Sequence, residues 1–83
     1  MVDSAIVTVT DKTSTVIGDF ELPVRITAGE LSKKMIAFLK AKDSDRYTVI
    51  SDLRFQFNDR ILDNAETLYE NEIWDGSILR IIF

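Results

Sequence analysis

Residues 5–10, AIVTVT, mix β-branched apolar residues with partial alternation, and the DKTST that follows is rich in turn formers. The pair reads as a strand and a hairpin loop. In VIGDFEL, Gly18, Phe20 and Leu22 fall on one face and Ile17, Asp19 and Glu21 on the other, until Pro23 removes a backbone donor and stops the ladder. Two antiparallel strands open the chain. The period then changes. In ITAGELSKKMIAFLKAK, Leu31, Met35, Phe38 and Leu39 share one helical stripe while Lys33 and Lys40 point away. Thr27 and Glu30 have the spacing of a capping box, and Ile26 and Leu31 flank them as a hydrophobic staple. Such a helix needs a sheet to cover.

KDSDRYTVIS is a polar connection enclosing an apolar pair, Val49-Ile50, whose structure the pattern leaves open. DLRFQFNDRIL restores alternation, with Leu53, Phe55 and Phe57 inward, Arg54 and Gln56 outward, and Asn58-Asp59 as the turn into a short fourth strand. DNAETLYENEI carries no sustained helical stripe, yet Leu68 and Ile73 suit a short helical turn under the sheet. The last strand puts Leu79, Ile81 and Phe83 inside and Ile78, Arg80 and Ile82 outside. No repeat, linker or low-complexity stretch interrupts residues 1–83, which read as one α+β domain.

Composition narrows the chemistry. The chain has 83 residues, 46% hydrophobic and 29% charged, a globular balance. It contains neither cysteine nor histidine, which removes disulfides, thiol chemistry, common zinc and haem sites, and the usual base poised near neutral pH. Asp43, Asp45, Asp52, Asp59 and Asp63 lie in polar segments and read as solvated turn residues. DSD has two calcium-ligand positions but lacks the third, the glycine and the closing glutamate. A non-enzymatic protein without metal or cofactor is the expectation. The net charge of −4 is opposite to the footprint of a nucleic-acid binder. No apolar run approaches the roughly 18 residues of a membrane span, and the N-terminus lacks a signal core. The expected location is cytoplasmic.

The order strand, strand, helix, strand, short strand, helical turn, strand resembles the ubiquitin-like β-grasp, a mixed four- to five-stranded sheet on one main helix. From Leu53 to Phe83, LRFQFNDRILDNAETLYENEIWDGSILRIIF matches the spacing of ubiquitin's second half without a gap: Leu62, Leu68, Ile73, Leu79 and Ile81 all fall on equivalent positions. Conjugated and sulfur-carrying relatives end in an exposed Gly-Gly. Here Phe83 closes the sequence and is expected to pack, which leaves adenylation without a handle. A modifier or sulfur carrier is the alternative if the native chain extends past Phe83 to such an end. Gln56 stands where ubiquitin's binding patch has its central isoleucine, Arg80 where it has histidine, and Ile82 alone stays apolar.

The final strand, Asp75-Gly76-Ser77-Ile78-Leu79-Arg80-Ile81, resembles that of the small YukD-like (EsaB-like) proteins of Gram-positive type VII secretion loci. That resemblance implies a cytoplasmic accessory component of WXG-type secretion, acting by protein contacts and not by conjugation. Because related domains are fused to membrane subunits of such systems, it also implies a membrane or ATPase subunit of the secretion complex as partner.

The expected contact surface is the outward face of the central strands: Ile6, Thr8, Arg54, Gln56, Ile78, Arg80 and Ile82. It sets two arginines beside apolar area, a mixture that interfaces favour. A half-solvated sheet face shows the same alternation, and the exposed isoleucines leave a weak homodimer open. Trp74 reads as a lid on the core edge, with an exposed interface anchor as its alternative. Lys33, Lys34, Lys40 and Lys42 read as a solvated helix face, Lys42 also complementing the helix dipole.

Overall fold

The computed structural model describes residues 3–47, 50 and 52–83. Five strands, β1 (Ser4–Thr10), β2 (Val16–Pro23), β3 (Arg54–Phe57), β4 (Arg60–Ile61) and β5 (Ile78–Ile82), form one sheet in the order β2-β1-β5-β3-β4. Only β1 and β5 run parallel; the other pairs are antiparallel. One helix, α1 (Ala28–Lys42), covers one face. This is the expected α+β β-grasp.

Local chemistry explains each junction. Asp11 turns the β1–β2 loop: one carboxylate oxygen accepts the Thr13 N–H at 2.8 Å, the Thr13 hydroxyl at 2.6 Å and the Thr15 N–H at 3.0 Å. That cage carries the chain through Ser14, which has φ of 66°. Asn58 and Asp59 have φ of 51° and 66° between the paired residues Phe57 and Arg60. Two consecutive positive φ values make the two-residue turn whose twist suits a hairpin.

Thr27 caps α1, its Oγ1 accepting the Glu30 N–H at 3.2 Å. The return bond differs from a capping box, since the Thr27 hydroxyl itself donates to the Glu30 carboxylate at 3.1 Å. Ala28, Leu31, Ser32, Met35 and Leu39 are the helix's buried residues. Phe38 is a correction to the expected stripe. It is exposed at the margin of the core, its ring edge-on to the half-buried Phe20 of β2, 5.1 Å between centroids.

The core fills from alternate positions: Ala5, Val7 and Val9 of β1, Phe55 of β3, and Leu79 and Ile81 of β5 are all buried. Leu53 and Leu62, just outside β3 and β4, join them, and Ile50 is buried as well. The Val49 half of the apolar pair lies outside the described residues.

Two further expectations need correction. Residues 64–73 form hydrogen-bonded turns and a bridge from Thr67 to Thr27 instead of a helical turn. The backbone there is tied outward: the Leu68 N–H donates to Ile26 O and the Tyr69 N–H to Val24 O. Leu68 and Ile73 nevertheless anchor the segment, both fully buried. Phe83 is 49% exposed and not inside. The last pairing of β5 is Ile82 with Arg54, so Phe83 lies past the ladder. The buried Tyr47 meets its ring at 6.0 Å, centroid to centroid, and the Lys12 ammonium lies over the ring, 6.0 Å from its centre.

Candidate functional site

Strand pairing assembles the outer face. Thr8 lies opposite Ile78, Thr10 opposite Arg80, Arg54 opposite Ile82, and Gln56 opposite Arg80. Side chains of paired residues share a face, so Ile6, Thr8, Ile78, Arg80, Ile82, Arg54 and Gln56 are brought together as the alternation anticipates. Ile6 and Ile78 are 55% and 58% exposed. They sit diagonally across β1 and the start of β5, with Ile6 level with the Asp75-Gly76 turn, and give the face its most exposed apolar side chains.

The arginines are less free than the pattern suggests. One Arg80 nitrogen donates to Ser14 Oγ at 2.9 Å, tying β5 to the β1–β2 loop. Arg54 donates to the Leu62 carbonyl at 3.0 Å. Its Nε is buried with no partner among the described residues. A shallow groove runs across the face between Thr8, Gln56, Asn58, Ile78 and Arg80.

Trp74 stands apart from this face. It precedes β5, is 40% exposed, and its ring meets Tyr69 edge-on at 5.5 Å. The Arg25 guanidinium lies 5.0 Å from the Tyr69 ring centre. Neither a sealed lid nor a member of the sheet face, Trp74 belongs to a separate aromatic pair at the end of the sheet.

Sequence reasoning missed two members of the outer face. Ile61 pairs with Gln56 and is exposed, and Val16, opposite Thr10, is exposed too. Ile61 was within reach of the pattern, since a two-residue turn fixes register and carries Gln56's face onto it. Val16 was not, because the register shifts between Val9 and Thr10.

Asp75 fixes the join between β1 and the approach to β5. Its carboxylate accepts the Ile6 N–H at 2.7 Å, and the Gly76 N–H donates to Ile6 O at 3.0 Å. Two other carboxylates are held below their ordinary range. For Asp11 the chief cause is the Thr13 hydroxyl, followed by the Thr15 N–H; for Glu66 it is the bond from Arg60, followed by the Asp63 N–H. Arg60 grips both Glu66 oxygens at 2.7 Å and also reaches Asn71 Oδ1. These bonds build loops. Among the described residues no group of three His, Cys, Asp or Glu side chains is placed to hold a metal, and no helix is long and apolar enough to cross a membrane.

Residues 5–81 match the family described as WXG100 protein secretion system (Wss), protein YukD. The chain belongs to the YukD family. No curated protein sequence matches this YukD-family chain. Among solved structures it is similar to the ubiquitin-like domain of the Mycobacterium tuberculosis type VII secretion system protein EccD1, at 18% identity and a TM-score of 0.75, covering 100% of both chains. It is also similar to the ubiquitin-like domain of yeast Ddi1, at 21% identity and a TM-score of 0.66 over 98% of this chain and 90% of that one. A third is the ubiquitin-like domain of the Arabidopsis thaliana protein At2g32350, at 20% identity and a TM-score of 0.72 over 99% and 79%. At such identities the likeness shows the fold.

Proposed function

We propose that this YukD-family chain is a non-conjugated ubiquitin-like interaction module of WXG-type secretion, working as one domain in the cytoplasm. Its partner is a membrane or ATPase subunit of the secretion complex, docked on the outer sheet face around Ile6, Ile78 and Arg80. The observation that carries the reading is the family match over residues 5–81. The domain of EccD1, itself part of a type VII secretion protein, adds support. The face suits a protein ligand because two well-exposed isoleucines lie beside an arginine, apolar area and a hydrogen-bonding cation together.

The test is affinity capture from native cells with wild type and with Ile78→Asp/Arg80→Glu. Both changes alter the outer face; a substitution at the exposed Ile78 costs about 0.5 kcal/mol or less, and a parallel Ser14→Ala variant, which removes only the Arg80 bond, measures what losing that tie does to thermal stability. Secretion subunits recovered with wild type alone, at unchanged thermal stability, support the reading. Equal recovery by both proteins sinks the face; covalently attached targets or an adenylating enzyme would point instead to a modifier.

A further inference from the structure

Backbone bonds reveal which groups of β2 are left facing solvent. The Thr8 N–H donates to Ser77 O at 3.0 Å, the Gly76 N–H donates to Ile6 O at 3.0 Å, and the Ile6 N–H donates to Asp75 at 2.7 Å. Ile6 and Thr8 therefore direct their backbone groups toward β5. Alternation turns Ala5, Val7 and Val9 toward β2, where they lie opposite Leu22, Phe20 and Gly18. The N–H and C=O groups of Asp19 and Glu21 must then point away from β1. Among the described residues no strand lies on that side, because β2 is the edge of the sheet. The Ile17 carbonyl points the same way, since Lys42 Nζ donates to it at 3.3 Å. Pro23, which has no N–H, ends the strand.

Edge strands are commonly blunted by brevity, bulges or inward-pointing charge. The other edge of this sheet, β4, has only two residues. β2 has eight, and its bulge and the Lys42 contact are confined to its start. On the inner side of the open stretch stand the half-buried Phe20 and the exposed Phe38, with Lys42 Nζ 5.9 Å from the Phe38 ring centre. On the outer side stand the exposed side chains of Asp19 and Glu21, hydrogen-bonded to Thr8 and Ser4. An antiparallel pairing of two β2 strands would bring these acidic rows together, and like charges placed opposite each other destabilise a sheet. A second copy of this chain is therefore a poor occupant.

We infer that the β2 edge takes up an extended segment of a different protein, with apolar residues turned inward onto Phe20 and Phe38 and lysine or arginine turned outward to Asp19 and Glu21. The main-chain bonds supply affinity, and the alternating side chains supply choice. This surface is the rim of the sheet and does not depend on the outer face.

The probe is a blocked seven-residue peptide alternating lysine with isoleucine and valine, titrated into the isotopically labelled full chain. Amide exchange should slow at Asp19 and Glu21, while the Phe20 amide, already in the ladder, changes little. Asp19→Lys/Glu21→Lys should weaken binding by about tenfold and should favour a peptide carrying glutamate in place of lysine. Asp19→Pro removes an N–H that makes no ladder bond, a change edge strands tolerate. It should bind more weakly than Asp19→Ser, which keeps the N–H, and both variants are checked for folding by their spectra. Equal binding of a peptide of the same composition with its lysines in one block would overturn the proposal. So would perturbation confined to Ile78 and Arg80, or concentration-dependent dimerisation through β2.

Discussion

Along β5, Leu79 and Ile81 are fully buried while Ile78 between the turn and Leu79 is more than half exposed, although all three are aliphatic residues of similar size. Pleating alone separates them, since successive side chains take opposite faces. One face of the strand meets the buried core, and the other meets solvent and two arginines. Hydrophobicity therefore has two uses in five residues. The inner isoleucine and leucine hold the fold, and Ile78 leaves apolar area open to solvent, the area on which the proposed docking rests.

The sharpest way to break this contrast is Leu79→Ala. A fully buried leucine cut to alanine should cost about 2–5 kcal/mol in denaturant unfolding, and a loss under about 1 kcal/mol would mean that the core repacks around it. Asp75→Ala should cost less, about 1 kcal/mol, by freeing the Ile6 N–H at a site where water can replace the lost acceptor. Ile78→Ser, on the outer face beside Leu79, should change stability by about 0.5 kcal/mol or less. A large loss there would show that the face is already covered in the free protein.

The smallest effect is a dependence on pH. Asp11 and Glu66 are held below the ordinary carboxylate value, so their ionised forms favour the fold. Their contribution is fully present above about pH 5.5, where the unfolded groups have lost their protons, and fades as pH falls through the ordinary values and then the lowered folded ones. Stability measured from neutral pH down into this range should therefore decline. Asp11→Asn should flatten that decline, and an unchanged slope would show that the Thr13 and Thr15 bonds leave the charge indifferent.

Much of this architecture is legible from residue spacing. Thr27, Glu30 and the Leu31–Met35–Leu39 stripe define α1 because capping and periodicity are local effects. Asn58-Asp59 defines its turn for the same reason, both residues tolerating positive φ. The misses are non-local. Phe83 continues the alternation of β5 perfectly, but the ladder has ended and Tyr47 bounds the core there. Residues 64–73 are shaped by bonds to Val24 and Ile26, which no local pattern announces. Among candidate site residues, seven positions converge because register is a consequence of alternation. Trp74 departs because it sits in the approach to β5, where Tyr69 decides its orientation.

The pairing of β1 with β5 also sets an order of events during synthesis. The first strand can pair with β2 as soon as both leave the ribosome, but its parallel neighbour is the last strand made. The Ile6 N–H waits for an acceptor 69 residues away. Until then the nascent hairpin shows a second unpaired flank, and contacts of such long sequence separation form slowly. Assembly of the sheet should thus come late, nearly all at once, when β5 closes the gap between the amino-terminal hairpin and β3.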